Sequence, residues 1–374
     1  MQYSAPRRII KPRDVSKGKT LSKQTDRIIS RRELGRESWD AAADASPEAW
    51  LWHRYDLCDA AIQDWPGRSD ASFALIDERE QVQALVPAFI LQGHAPWGLP
   101  VRYLNSNGGP ALSASLGGSR RQEVLDIIAA QLQAQARASR VIRTTLSVAP
   151  MAPAWRGPDG PRCNPLLYMG CEDSSGHTWV TDLRDGSEAV WTRFEVRARR
   201  SVRKAEAAGV TVRESTAASD WRQFYALHQE TYRRLGVPSY PEALFRMIYE
   251  RLVPNGLCHV YFAELNGTPI AAFNTACDKQ GGYYWHGFAS DEGLRTQALR
   301  LTIWKAIEDL AGKGVLQWLD CGEAVLHSGG KPQQLSDFKR SFGGELYPLF
   351  RGRIRSPIRL YNRLLHLKGL IKGD

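Results

Sequence analysis

Late in the chain the stretch LSDFKRSFGGELYPLF, Leu335 to Phe350, sets a short basic helix closed by a glycine pair directly before an apolar run. A lysine at Lys339 on such a helix has two readings: it belongs to a packing element that finishes a sheet, or it delivers a cation to a reaction centre. Phe338 and Phe342, four residues apart, pack beneath the helix on either reading. In RARRSVRK, Arg199 and Arg203 are also four apart and share a helix face. Such a pair suits a phosphate grip, for a nucleotide- or lipid-linked diphosphate or a tRNA backbone, or else forms a solvated face. In GYYWHGFA, alternation puts Tyr284 and His286 on one strand face and Tyr283 and Trp285 on the other. His286 could accept a proton, or be a satisfied core histidine. Asp320 ends the run VLQWLD before a glycine turn. It orients an amine or serves as a base on one reading, and accepts turn N–H bonds on the other.

These residues need elements to position them. The chain has 374 residues, more than the roughly 250–300 at which single cores stop growing, so two lobes are expected. An apolar share of 43% and a charged share of 24% are ordinary for a globular protein. No apolar run reaches the roughly 18 residues of a membrane span. The basic N-terminus has no apolar run after it, so no secretory signal is expected and the chain is expected in the cytoplasm. Six cysteines without a C-x-x-C pair argue for single thiols rather than a disulfide framework or a zinc site. The formal net charge of +10 is concentrated in Arg7 to Arg36, Arg193 to Lys204 and from Lys331 onward, and a basic surface collects phosphates or nucleic acid.

Residues 1–36 read as a disordered basic arm. Residues 37–178 read as a mixed α/β unit: a helix from Ser46, strands in ASFALIDE and VQALVPAFIL, the helix RRQEVLDIIAAQLQAQARAS and the strand VIRTTLSVA. Residues 179–352 form a second unit. A basic helix SEAVWTRFEVRARRSVRKAEAAGV ends at Gly209, a favoured left-handed cap. A hairpin turns at Asn266-Gly267, the strongest short-range hairpin signal. A third strand, a helix, the strand VLQWLD, the Lys339 helix and the strand ELYPLF complete the unit. Residues 353–374 read as a basic amphipathic helix, able to dock on the protein or to lie in a membrane interface.

The order of the second unit resembles the GNAT acyltransferase fold, and the first unit repeats it in blurred form. Two GNAT-like lobes in tandem with RARRSVRKAEAAGV, YYWHGFASDEG, LDCGEA and FKRSFGG in this order resemble the Fem-type aminoacyltransferases over roughly residues 40–350. Members attach amino acids from aminoacyl-tRNA to peptidoglycan precursors. The resemblance implies that Phe338-Lys339 matches a pair implicated in oxyanion stabilisation. It also implies that Arg199 and Arg203 hold acceptor phosphates, and that Tyr284, His286 and Asp320 line the cleft. No Ser-His-Asp or Cys-His arrangement stands out, and direct transfer needs positioning and electrostatics rather than a covalent intermediate. No metal or tightly bound cofactor is expected; the co-substrate is aminoacyl-tRNA, with acyl-CoA as the alternative. Where acetyl-CoA enzymes place a Gly-rich pyrophosphate turn, this chain reads ASDEGLRTQALRL, acidic and with one glycine. The expected partners are a phosphate-bearing envelope precursor, tRNA, and the inner face of a membrane touched by the C-terminal helix. Two rivals remain open: an acyl-CoA-dependent N-acyltransferase acting on an amino sugar, and a non-catalytic RNA- or glycan-lipid-binding protein.

Overall fold

The computed structural model describes residues 26–63, 67–94, 98, 100–157, 160–326 and 329–354. The first lobe begins with β1 (Arg27–Ser30), α1 (Arg31–Leu34), α2 (Arg36–Ala45) and α3 (Tyr55–Gln63). Strands β2 (Ser69–Asp70), β3 (Phe73–Ile76), β4 (Val82–Val86), β5 (Phe89–His94), β6 (Pro100–Gly108) and β7 (Ala111–Leu112) follow. Helix α4 (Gly118–Ala138) then crosses over to β8 (Val141–Val148), parallel to β6, and the short β9 (Glu172–Asp173) closes the lobe.

The second lobe runs β10 (Gly176–Asp182), α5 (Ser187–Arg193), α6 (Val196–Ala207), β11 (Thr211–Ser215), α7 (Trp221–Leu235) and α8 (Glu242–Met247). The meander β12 (Cys258–Leu265), β13 (Thr268–Asp278) and β14 (Gly281–Ala289) follows, its first turn at Asn266-Gly267, both with positive φ. Helices α9 (Asp291–Thr296) and α10 (Ala298–Gly312) lead to β15 (Trp318–Glu323), α11 (Gly330–Arg340), β16 (Glu345–Leu349) and β17 (Arg351–Ile354). Its sheet has the order β11-β12-β13-β14-β15-β10-β16; the first lobe has sheets β1-β3-β4-β7 and β2-β5-β6-β8-β17-β9. The mixed α/β reading with two similar lobes in tandem therefore holds.

Helices α5, α6 and α10 cover one face of the second sheet through Phe194, Val202, Ile303 and Ile307. Helices α7 and α8 cover the other, where Trp50, Leu51 and Leu57 of the first lobe join Phe245, Phe262 and Trp318 in one core. The tip of the β13–β14 hairpin plugs into the first lobe. Arg54 donates to both oxygens of Asp278 at 3.0 and 2.6 Å, and Lys279 Nζ donates to the carbonyls of Ala43 and Ser46 at 2.7 Å each.

Several expectations are corrected. The basic arm was set at 1–36, but β1, α1 and the start of α2 lie inside it. Arg31 is 1% exposed and donates to Asp70 and Asp59, which is why this polar text orders. Ser46 does not start a helix; it follows α2, and its hydroxyl donates to the Leu112 carbonyl. VQALVPAFIL divides after Val86, β4 and β5 entering different sheets, because Pro87 and Ala88 lie between them. The basic helix is two helices broken at Phe194, whose ring packs on Trp304 and Phe342. The lobe boundary at 352 falls inside β17, which pairs with β8 and β9 of the first lobe. The helix expected over 353–374 thus begins within a strand, and its remainder, 355–374, lies outside the described residues.

Candidate functional site

Strands β14 and β15 run parallel, but pair only at Gly281–Trp318, Gly282–Leu319 and Tyr283–Asp320. Beyond that point β14 stays with β13 to Ala289, while β15 stays with β10 to Glu323. The two strands part there, and the candidate cleft is the gap between their carboxyl ends, where open α/β sheets commonly hold ligands.

Helix α11 brings Lys339 to this cleft. Buried Ser336 pins the helix: its hydroxyl accepts from Trp179 Nε1 at 2.8 Å and from the Val325 amide at 2.9 Å. Phe338 stacks edge-on against fully buried Phe342, with centroids 5.0 Å apart. The Lys339 ammonium reaches so close to Gly322 that a Cβ built there would lie 2.7 Å from Nζ. Gly322 also has φ +92°, so its backbone calls for glycine, and the absence of a Cβ leaves room for the lysine tip. The packing and cation readings of the opening stretch are therefore compatible: the helix closes the sheet and points its lysine inward.

The electrostatics of the cleft are unusual for surface residues. Burial lowers the Lys339 pKa, opposed by the neighbouring Cys321, Asp320 and Glu323, and no hydrogen bond or ion pair of Lys339 occurs among the described residues. The ammonium sits over the Tyr284 ring, 5.9 Å from its centroid. Asp320 is 3% exposed, and burial pushes its carboxyl up to about 6 despite hydrogen bonds from Thr178 and Gly322 and the field of Lys339. Both hydrogen bonds, from the Thr178 hydroxyl and from the Gly322 amide at 2.7 Å, go to Oδ1. Oδ2 keeps its acceptor capacity. A carboxylate with a raised pKa beside a desolvated ammonium is the kind of pair found where protons move and charge develops.

Tyr284 and Phe338 join this site; His286 does not. Asn274 pairs with His286 and Thr275 with Tyr284, so Trp285 is the extra residue of a bulge and the alternation breaks there. Tyr284 faces the α10 side, whereas His286 stacks among Phe224, Phe245 and Phe288 on the α7 side. Its Nδ1 lies 3.0 Å from the Asn274 side-chain oxygen, and burial drives its pKa down to about 3. It is a neutral core histidine. Arg199 is likewise spent: its guanidinium donates to the carbonyls of Trp191, Thr192 and Phe194, closing the end of α5. Arg203 is exposed, about 6.0 Å from the Trp191 ring, without an acidic partner among the described residues, so of the two only Arg203 is available to a ligand.

Two participants escaped the sequence. Tyr283 OH lies 3.8 Å from the same built Gly322 Cβ, and its ring packs edge-on against Trp52 of the first lobe. Arg300, on the first turn of α10, sits 4.6 Å over the Phe338 ring and donates to the Ser341 hydroxyl at 3.0 Å. Burial and nearby Arg197 lower its pKa, and it meets no carboxylate within ion-pair distance among the described residues. The spacing Trp304–Arg300 on a helix with an apolar face gave no signal, since arginine is ordinary on amphipathic helices. The acidic turn also changes meaning: Asp291 pairs with Arg234 and Glu292 with Arg295, so its charge is largely answered. Its backbone is nonetheless folded as α9, and the Gly293 amide donates to Ser290 Oγ rather than lying open.

Residues 193–340, from the end of α5 through Lys339, match the family model of an acetyltransferase (GNAT) domain. No curated protein sequence matches the chain. Among solved structures, FemX superposes with a TM-score of 0.64 at 14% identity, covering 91% of this chain and 99% of that one. L-PGS from Bacillus licheniformis superposes at 0.52 with 11% identity, covering 90% and 97%. A tandem GNAT protein from the clavulanic acid biosynthesis pathway superposes at 0.50 with 13% identity, covering 89% and 99%. At these identities the likeness establishes the fold, two GNAT-type lobes in tandem.

Proposed function

We propose that this tandem GNAT-fold protein, whose second lobe carries the acyltransferase domain, passes an aminoacyl group from aminoacyl-tRNA to an amine of a phosphate-bearing cell-envelope precursor in the cytoplasm. The observation that carries the reading is the half-buried Lys339 ammonium at the strand splay, without a hydrogen bond or ion pair among the described residues and 2.7 Å from the Cβ position of Gly322. In the reaction the acceptor nitrogen attacks the donor ester carbonyl and forms the C–N bond. Negative charge collects on the carbonyl oxygen, where Lys339 stabilises it. Asp320, ionised at neutral pH, takes the ammonium proton on Oδ2 and returns it to the ribose oxygen as the C–O bond breaks. Tyr284 and Phe338 shape the wall behind the reacting carbonyl, and Arg300 supplies a second cation for a donor phosphate. Arg203 remains for the acceptor phosphates or the tRNA backbone.

The folding of α9 over the turn that cradles pyrophosphate in acetyl-CoA enzymes favours the aminoacyl donor over acyl-CoA. The test is donor consumption: the full chain is incubated with a pool of charged tRNAs and, separately, with acyl-CoAs, in the presence of envelope precursors bearing free amines. Loss of aminoacyl ester dependent on the acceptor supports the reading. Loss of acyl-CoA alone replaces it with the N-acyltransferase, and binding of RNA or glycan-lipid without consumption of either donor replaces it with a non-catalytic protein.

A further inference from the structure

The first lobe repeats the geometry that opens the second-lobe cleft. Strand β6 runs parallel to β8 as far as Gly108–Val148, then the chain leaves as β7 and pairs with β4 in the other sheet. A pocket of about 380 Å³ lies at this divergence, within the roughly 300–1,000 Å³ typical of small-molecule sites. Leu112 of β7, Leu125 of α4, Val148 of β8, Trp155, Leu166 and Met169 wall it. A 3-10 turn, Pro165–Met169, forms the rim and leaves Tyr168 67% exposed.

The charges around the pocket say what kind of ligand fits. Glu48, 6% exposed, is the acidic group in the lining, and both its oxygens are engaged: one by Arg121, the other by the Leu112 amide at 3.2 Å. The interior is thus apolar and close to neutral. At the mouth stands Arg162, exposed and without an acidic partner among the described residues. Inside the pocket, burying a ligand charge would be costly; at the rim, an anion would meet an unpaired guanidinium.

We infer that the first lobe binds an amphiphile, its apolar chain held among Leu112, Leu125, Val148, Trp155 and Met169 and its single anionic head against Arg162. The inference does not rest on the transfer reaction, since no lining residue belongs to the cleft around Lys339.

Titration calorimetry of the full chain with dodecanoate, dodecanol and dodecyltrimethylammonium, each below its micelle concentration, tests it. Dodecanoate should bind once per chain and more tightly than the cationic probe. Leu125→Trp, which fills the pocket, should abolish dodecanoate binding. Because Leu125→Trp could disturb the core, Arg162→Glu provides a surface variant: it should weaken dodecanoate about tenfold by replacing attraction with repulsion, and leave dodecanol unchanged. No saturable binding, preference for the cationic probe, or binding indifferent to Arg162→Glu would each overturn the inference. Donor consumption in the second lobe should persist in both variants.

Discussion

Replacing Lys339 by Met removes the ammonium while keeping most of the stem that passes Tyr284 and Gly322. Lys339 makes no ion pair among the described residues, and burial already disfavours its charge. Its loss should therefore leave the melting temperature unchanged or slightly higher. The cost should fall on turnover instead: removing one oxyanion donor lowers kcat by roughly 10²–10³, about 2.7–4 kcal/mol. Acceptor affinity should hardly move, since the interaction develops in the transition state. A second signature follows from Asp320. Lys339 holds the Asp320 carboxyl down, against the burial that raises it to about 6. In the wild type, activity should rise with pH through about 6, as Asp320 loses its proton, and fall again as Lys339 deprotonates below its ordinary pKa. In Lys339→Met the acid limb should move upward and the alkaline limb should disappear. Arg340→Met is the control, because Arg340 faces solvent and pairs at 3.1 Å with Glu195, an exposed contact worth roughly 0–1 kcal/mol. Steady-state kinetics over pH, with melting curves of both variants, decide the matter. Turnover within a few-fold of wild type, an unmoved acid limb, or loss explained by unfolding would refute the oxyanion role.

Arg199→Ala should lower stability by roughly 1–3 kcal/mol in chemical denaturation, since it strands carbonyls at the end of α5, whereas Arg203→Ala should leave stability alone and weaken binding of phosphate-bearing acceptor. Arg31→Ala should cost roughly 3–5 kcal/mol, because Asp59 and Asp70 lose a buried partner, and a denaturant midpoint equal to wild type would return the segment to the basic arm. His228 and His286 are held neutral by burial, at about 4 and about 3, below the ordinary 6.5. The unfolded chain takes up their protons first, so their contribution is intact above about 6.5 and is lost as pH falls toward 4. Asp320, raised to about 6, works in the opposite direction between 6 and 3.8, as do Asp40 and Glu48, raised by burial, but against them stand three buried histidines, His53 at about 4 among them, and carboxyls held low by basic partners such as Asp309 and Glu323. Urea midpoints at pH 7.5 and 4.5 should therefore fall in wild type and fall less in His286→Gln.

The sequence exposed what depends on local chemistry and concealed what depends on how strands leave one another. Asn266-Gly267, the helix that became α4 and the strand that became β14 announce themselves through turn residues and periodicity, and each forms where its pattern places it. Lys339, Phe338 and Asp320 were singled out because the lysine helix precedes a glycine pair and the aspartate lies two residues before Gly322; Asp320 does not end its strand, which runs on to Glu323 with Gly322, at φ +92°, inside it. His286 was misplaced by one unpaired residue: strict alternation is valid only while the ladder is regular, and the bulge at Trp285 reverses the phase for everything after it. Arg199 was misread because helix-face arithmetic says which residues are neighbours and not what stands beyond the helix end; the break at Phe194 turns a phosphate grip into a cap. Arg31 shows the same limit from the other side. A polar, basic segment looks unable to order, yet two aspartates 28 and 39 residues away supply the partners that order it. The cleft itself has no sequence signature at all, because it exists only where β14 and β15 cease to pair after three residues. Charge that is answered locally can be read from spacing; charge answered across the fold, as for Arg31, or left unanswered in a splay, as for Lys339 and Arg300, becomes visible only once the strands are in place.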